Sequence, residues 1–203
     1  MKNMNRFISA AIVAFMTLCS AVGSDNEAIA GDFRAGTAKA NITPPVPIPM
    51  SGYSSRTKPY ESVHDSLYLR VVAFGDGERT AAVVTADVIG LSHDFWEDVI
   101  VRIERETKVN REYVLIAPVH NHGGPVTMVY NRDVGPEVKT YVESVKAAIV
   151  TSLKTALGNM RPCAIGCASG ECLMNVNRRA LHPNGTITLG RNPYGPCDKE
   201  VGV

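Results

Sequence analysis

The segment Tyr113-Val-Leu-Ile-Ala-Pro-Val-His-Asn-His-Gly-Gly-Pro125 holds an apolar strand pattern that runs directly into two histidines one residue apart. In extended backbone, residues i and i+2 project to the same side, so His120 and His122 are expected to face one point. Strand ends are where α/β folds place their sites. The segment therefore predicts half of a metal or acid–base site, and the alternative is an ordinary turn that happens to contain two histidines.

The segments on either side of the histidines predict alternating strands and helices. Strands are expected at 33–43, 67–74, 80–88, 163–169, 173–176 and 186–189, and the strand at 80–88 reads as buried on both faces. Helices are expected at 92–108 and 136–157, each with an apolar stripe on one side. The predicted fold class is α/β, a mixed β-sheet with packed helices.

Two further features lie close to these elements. Residues 44–60 hold five prolines and predict a long loop, which is either functional or a plain surface linker. Asp87 interrupts the apolar pattern of its strand, and capping of the following loop is a better expectation for it than a place in the site.

The composition is that of an ordinary globular protein. The chain has 203 residues and a net charge of +1, with 45% hydrophobic and 20% charged residues. No basic stripe stands out, so nucleic acid is not expected as a partner.

Residues 1–30 have the pattern of a secretory signal peptide. Lys2 and Arg6 precede an uncharged apolar run of 16 residues, 7–22, which is shorter than a membrane span. Ala28-Ile29-Ala30 offers a small-x-small cleavage site. We expect this segment to be removed and the protein to be secreted or periplasmic; an uncleaved N-terminal anchor is the alternative.

Four cysteines follow the predicted signal peptide: Cys163, Cys167, Cys172 and Cys197. An even number in an oxidising compartment allows two disulfides, with the pairing left open. Their spacing fits no zinc ribbon, so a structural use is expected.

Five short motifs, taken in order, resemble the neutral ceramidases, which are secreted or surface zinc hydrolases that cut the amide bond of ceramide. The motifs are Ile42-Thr43-Pro44 with Gly52-Tyr53, the strand from Val63 to Arg70, Thr85-Ala86-Asp87, the segment from His120 to Pro125, and Asn177-Arg178. Asn121 and Gly123 stand where the family usually has threonine and serine. The resemblance covers about residues 33–203 and implies that 31–203 is the N-terminal portion of a neutral-ceramidase-like catalytic domain.

The resemblance also implies roles for three residues. His120 would bind zinc, His122 would lie beside the metal and help hold the substrate or the reacting oxygen, and Arg178 would contribute to the active site. The family's remaining zinc ligands and its catalytic serine lie farther along a much longer chain. We therefore expect an incomplete site with one zinc ligand, and a chain that is inactive by itself.

The substrate implied by the resemblance is a ceramide-like lipid, cleaved to sphingosine and a fatty acid. A peripheral membrane contact and a complementary C-terminal portion stay open as partners. Two alternatives remain: another zinc hydrolase that uses the H-x-H pair, such as an amidohydrolase barrel or a metallo-β-lactamase-like enzyme, and a secreted non-catalytic remnant or binding domain.

Overall fold

The computed structural model describes residues 33–128 and 134–203. These fall into two compact units, a larger one that ends at Ala164 and a smaller one that runs from Ile165 to Val203. The predicted signal peptide, 1–30, lies outside the described residues. Among the helices of the described ranges, none is both long and apolar enough to cross a membrane.

The larger unit is built on a five-stranded mixed sheet. Its strands are β1 (Arg34–Asn41), β2 (Tyr68–Gly75), β3 (Thr80–Ala86), β4 (Val114–Pro118) and β5 (Arg161–Pro162). They are ordered β4-β3-β2-β1-β5 in space. All neighbours are antiparallel except β3 and β4, which are parallel. The parallel pair places the carboxyl ends of β3 and β4 at the same edge of the sheet.

Two helices cover this sheet: α1 (His93–Thr107) and α2 (Pro136–Gly158). The α1 helix begins where the Ser92 side chain accepts the N–H of Phe95 at 3.2 Å, and it ends at Lys108, whose φ is 64°. A short 3-10 helix, Arg111–Tyr113, then leads into β4. The predicted apolar stripes are buried in one core cluster: Phe95, Val99, Ile100 and Ile103 of α1, and Val138, Tyr141, Val142, Val145, Ile149 and Leu153 of α2. The mixed α/β fold is thus confirmed.

The prediction that β3 is buried on both faces was wrong. Ala82, Val84 and Ala86 are fully buried in the core that the helices share, whereas the alternate side chains Val83 and Thr85 are only half-buried. The two described helices contribute to one core on one side of the sheet, and the other side is less covered. An unbroken apolar sequence pattern cannot distinguish a strand that is buried on both faces from a strand that is buried on one face and half-covered on the other.

Charged side chains join the exposed surfaces of α1 and α2. Asp98 accepts hydrogen bonds from Lys146 at 2.8 Å and from Arg102 at 2.7 Å, and Arg102 also reaches Glu143 at 2.9 Å. The hydrogen bond from Lys146 is the main cause that holds the pKa of Asp98 below its usual value. This network adds polar contacts between two helices that already pack through the shared core.

The smaller unit consists of two short antiparallel pairs. They are β6 (Ser169–Glu171) with β9 (Glu200–Gly202), and β7 (Asn177–Leu181) with β8 (Ile187–Asn192). The predicted strands at 163–169 and 173–176 were wrong. The strand of this segment is Ser169–Glu171, centred on the residues expected to form the turn, and it pairs with the last residues of the chain. The N–H of Cys172, for example, donates to the carbonyl of Lys199 at 2.8 Å.

All four cysteines are free thiols, so the expected disulfides are not formed in this structure. Cys172 lies opposite Lys199 and not opposite another cysteine, and the N–H of Cys163 donates to the carbonyl of Phe33 at 3.1 Å in the larger unit.

Gly36 provides a test of how the end of α2 packs against β1. A Cβ atom on Gly36 of β1 would collide with the carbonyl oxygen of Ala156 and lie 2.7 Å from the nitrogen of Met160, at the end of α2. Gly36→Ala should therefore lower the free energy of unfolding by about 1–3 kcal/mol in a urea titration. Gly158→Ala is the matched control, since a Cβ there meets nothing within 4 Å. Equal stability of the two variants would contradict the tight contact of α2 with β1.

Candidate metal and substrate site

The two histidines lie just beyond the end of β4, where backbone hydrogen bonds continue the pairing with the segment after β3. Val119 donates to the carbonyl of Ala86, and His120 donates to the carbonyl of Val88, each at 3.0 Å. His120 has a φ of 60°, so the chain turns here through a left-handed conformation. The imidazoles of His120 and His122 nevertheless meet, with their ring centres 5.2 Å apart and their planes at 70°.

The prediction that these rings converge is thus confirmed, but the geometry behind it was wrong. Extended backbone was expected, and the structure instead uses a left-handed residue at the first histidine. A non-glycine residue at positive φ is uncommon and is kept only where the surroundings impose it. At His120 the conformation is accompanied by hydrogen bonds from the backbone N–H to the carbonyl of Val88 and from Nδ1 to the carbonyl of Ile89.

His120 is held through one ring nitrogen. Its Nδ1 lies 2.8 Å from the carbonyl oxygen of Ile89. A carbonyl can only accept a hydrogen bond, so Nδ1 carries the proton and Nε2 keeps its lone pair in the neutral ring. The side chain is exposed. This is how metal-binding histidines are usually oriented, with one nitrogen fixed by a carbonyl and the other free to coordinate.

The half-buried His122 is held by the proline-rich loop. The ring of Tyr53 meets the His122 ring edge-on at 5.2 Å. Arg56 donates from Nη1 to the carbonyl of His122 at 2.9 Å and to the carbonyl of Ser51 at 3.0 Å. Sequence reasoning missed Arg56, because a lone arginine in a loop carries no periodic signal. The only sequence signal that this part of the loop belongs to the site was the nearby Gly52-Tyr53 motif.

Backbone hydrogen bonds join the proline-rich loop to the histidine turn. Ser51 donates to the carbonyl of Gly124 and Val126 donates to the carbonyl of Pro49, each at 3.0 Å. Met50 and Pro125 form an isolated β-bridge between these two bonds. The loop at 44–60 is therefore a structural part of the site and not a plain linker.

Asn121, between the two histidines, shapes the turn itself. Its Nδ2 donates to the backbone carbonyl of Asp87 at 2.7 Å, and its Oδ1 accepts the N–H of Gly123 at 3.2 Å. A Cβ on Gly124 would lie 2.9 Å from that Oδ1. The side chain between the two histidines is thus used to fasten them to the end of β3.

The Asp87 carboxylate binds groups of the sheet and not of the following loop, so the prediction that it caps that loop was wrong. Its Oδ2 accepts the N–H of Tyr68 at 2.9 Å, and its Oδ1 lies 3.0 Å from Nη1 of Arg70. Both partners belong to β2, so the carboxylate ties β2 to the end of β3.

A cleft of about 460 Å³ opens beside the histidine turn. Apolar groups supply most of its wall, and Arg56 with the exposed pair of His64 and Asp65 supplies polar groups. The lining residues are Thr43, Pro44, Met50, Arg56, Tyr60, Ser62, Val63, His64, Asp65, Leu67, Asn121, Gly123 and Pro125. Asp65 accepts a hydrogen bond from Nδ1 of His64 at 2.7 Å, and this bond raises the pKa of His64. The volume is in the range of small-molecule sites.

Arg178 lies in β7 of the smaller unit, whereas both histidines belong to the larger unit. The arginine is exposed and lines an open hollow of about 500 Å³ with Asn177, Arg179, Ile187, Thr188 and Leu189. Within residues 33–128 and 134–203, no group of three His, Cys, Asp or Glu side chains is placed to hold a metal ion. Within the larger unit, the structure brings together His120 and His122, two of the three predicted site residues.

The comparisons with known proteins agree with this fold. The family described as "Neutral/alkaline non-lysosomal ceramidase, N-terminal" matches residues 33–183. The crystal structure of neutral ceramidase from Pseudomonas aeruginosa superposes with a TM-score of 0.64 at 25% identity, covering 73% of this chain and 25% of that one. A structure titled "Ceramidase complexed with C2" gives a TM-score of 0.65 at 24% identity, covering 74% of this chain and 25% of that one. No curated protein sequence matches this chain.

Gly52 tests how His122 is held. Its φ is 106°, and a Cβ there would lie 2.6 Å from Cβ of His122. Gly52→Ala should move the His122 ring, since both the conformation and the space exclude a side chain. The measurement is the chemical shift of the His122 ring protons by NMR. Gly158→Ala at the end of α2 is the control, because it is remote in sequence from His122 and a Cβ there meets nothing within 4 Å. Unchanged His122 shifts in Gly52→Ala would contradict this contact.

Proposed function

Because the chain belongs to the neutral/alkaline non-lysosomal ceramidase family, we propose that its larger unit supplies the histidine part of a zinc-dependent site that hydrolyses the amide bond of a ceramide-like lipid. The observation that carries the proposal is His120, whose Nδ1 is held by the carbonyl of Ile89 at 2.8 Å, while no described residue forms a hydrogen bond with Nε2. The chain spans about a quarter of the length of the solved ceramidases, so the activity of a whole enzyme is part of this proposal.

The residues present fit a zinc ion as part of a ligand set. Neutral imidazole nitrogen is a preferred zinc ligand, and His120 offers one in a fixed tautomer. A catalytic zinc site normally has three protein ligands and one open position, and the described residues do not supply that number. Bound zinc would lower the pKa of a coordinated water to about 7 and polarise the amide carbonyl.

His122 and Arg178 have different tasks in this proposal. The ring of His122 meets the ring of His120 at 5.2 Å, so it can donate a hydrogen bond to the reacting oxygen of a substrate placed there. Arg178 would add a permanent positive charge that stabilises the oxyanion of the tetrahedral intermediate. Removal of one such donor typically costs about 3–4 kcal/mol of transition-state stabilisation.

The cleft beside the turn supports a lipid substrate. A ceramide-like molecule carries hydrocarbon chains on both sides of its amide, so its site needs apolar walls next to the reacting groups. The cleft of about 460 Å³ has such walls, and Asn121 and Gly123 of the histidine turn are among its lining residues. We assign this cleft to part of the lipid next to the amide bond.

The remaining features of the proposal rest on the sequence. The pattern at 1–30 would direct the chain to a secreted or periplasmic location. The missing zinc ligands and the nucleophilic serine would come from a complementary C-terminal portion. Both points are open to direct experiment.

A zinc titration tests the metal part of the proposal. Added zinc should shift the ring signals of His120 and His122 first in a histidine-selective NMR spectrum, and His120→Ala should abolish this response. His93→Ala is the matched control, because His93 is an exposed histidine on α1, with 79% of its side chain accessible. Zinc that shifts the His93 signals as strongly as those of His120 would contradict a dedicated ligand.

An activity assay tests the incompleteness of the site. The chain alone should not hydrolyse a fluorescent ceramide in the presence of zinc, since the described residues offer two imidazoles where three protein ligands are needed. Product formation is followed by chromatography over hours. Metal-dependent turnover that His120→Ala removes would show that this chain holds a full ligand set.

A further inference from the structure

Four consecutive carbonyls that follow β3, those of residues 87–90, each accept a hydrogen bond from the segment 120–127. The donors, in the order of the carbonyls, are Nδ2 of Asn121 at 2.7 Å, the backbone N–H of His120 at 3.0 Å, Nδ1 of His120 at 2.8 Å and Oγ1 of Thr127 at 2.6 Å. The first three bonds hold His120 or its neighbour directly. The fourth is made to the carbonyl next to the one that holds the His120 ring.

Thr127 is buried, although it lies outside the strands and helices. It is 1% exposed, and Ser152 is the only other buried polar residue in the described ranges. A buried hydroxyl needs a hydrogen-bond partner. Because a carbonyl only accepts, the Thr127 hydroxyl donates to the carbonyl of Gly90, at a distance within the usual range for such bonds. This contact lies inside the larger unit, between groups that the unit itself covers.

Gly90 connects the Thr127 bond to the histidine. It joins two peptide planes, of which the first carries the carbonyl of Ile89 and the second carries its own carbonyl. Glycine restrains φ and ψ less than any other residue, so the hydrogen bonds to these two carbonyls set the orientation of the planes. A Cβ atom on Gly90 would lie 2.8 Å from Sδ of Met128, so a larger residue would require Met128 to move. Loss of the Thr127 bond would therefore loosen the carbonyl of Ile89 as well.

We propose that Thr127 is a positioning residue for His120. Its hydroxyl fixes the carbonyl of Gly90, the adjoining peptide then holds the carbonyl of Ile89, and that carbonyl keeps the ring proton of His120 on Nδ1. Nε2 is thereby left with the lone pair. The consequence for zinc rests on the proposed function, whereas the position of the ring proton can be measured in the metal-free chain. The two can therefore fail separately.

Two substitutions separate the hydroxyl from the shape of the side chain. Thr127→Val removes the hydroxyl and keeps the shape, and Thr127→Ser keeps the hydroxyl. The measurement is a long-range nitrogen–proton NMR spectrum of the metal-free chain at about pH 8.5, where imidazole is neutral, with the His120 signals assigned from His120→Ala. The native chain and Thr127→Ser should carry the ring proton on Nδ1 alone, and Thr127→Val should show a mixture of both tautomers.

Ser152→Ala is the matched control, because it removes the other buried hydroxyl, on α2. It should leave the tautomer of His120 unchanged even if it lowers stability. A mixture of tautomers in Ser152→Ala would assign the effect to general loosening of the fold and would overturn the proposal.

Zinc titration of the same variants measures the consequence for the metal. Loss of a group that orients a metal ligand typically weakens metal binding by about ten- to a hundredfold. Thr127 acts through an intervening carbonyl, so Thr127→Val should raise the zinc concentration at half-effect on the His120 signals by about tenfold. Thr127→Ser should restore the native value.

The proposal is overturned if Thr127→Val keeps the ring proton on Nδ1 alone, or if Thr127→Ser behaves like Thr127→Val. Weaker zinc binding with an unchanged tautomer would also overturn it, since the route through Ile89 would then be wrong. A mixed tautomer in Thr127→Val, in a chain that binds no zinc, would support the positioning role and contradict the proposed metal. Thr127→Ala also lacks the hydroxyl and carries the same expectation should Thr127→Val fail to fold.

Discussion

The parallel pairing of β3 with β4, continued past the ends of both strands, is the constraint on which the site depends. Parallel neighbours require a crossover, and α1 provides it. The crossover brings the carboxyl end of β4 to the residues that follow β3, so the carbonyls of Val88 and Ile89 can receive the backbone N–H and the Nδ1 of His120. The position, the left-handed backbone and the tautomer of one histidine thus follow from a single strand pair.

The proline-rich loop both holds His122 and forms part of the cleft wall, and the same residues contribute to both. Arg56 binds the carbonyl of His122, and the same side chain lines the cleft with Met50 and Pro125. A change in this loop would therefore affect both the histidine and the apolar wall beside it. Proline limits the loop's freedom in the unfolded chain, so the entropy lost when it packs is reduced.

Sequence patterns predicted much of the larger unit because its elements are long and regular. The caps of α1, the stripe of α2 and the family resemblance were all confirmed. The smaller unit was predicted poorly, since β6 pairs with β9, about thirty residues away along the chain, and each strand has only 3 residues. The convergence of His120 and His122 was predicted from the wrong backbone geometry. The carbonyl of Ile89 left no signal at all, because any residue can supply a carbonyl.

The exposure of His120 bears on whether it is a ligand or an ordinary histidine. A structural core histidine has both ring nitrogens satisfied by protein groups, since burying an unpaired one is costly. A plain surface histidine usually leaves both nitrogens to water and adopts ordinary backbone angles. His120 fits neither description, because one nitrogen is fixed at 2.8 Å to a carbonyl, the backbone has a φ of 60°, and the side chain is exposed. Holding a residue in that conformation costs free energy, which the neighbouring hydrogen bonds offset. This arrangement supports the proposed zinc ligand, since one nitrogen is fixed and no described residue forms a hydrogen bond with the other.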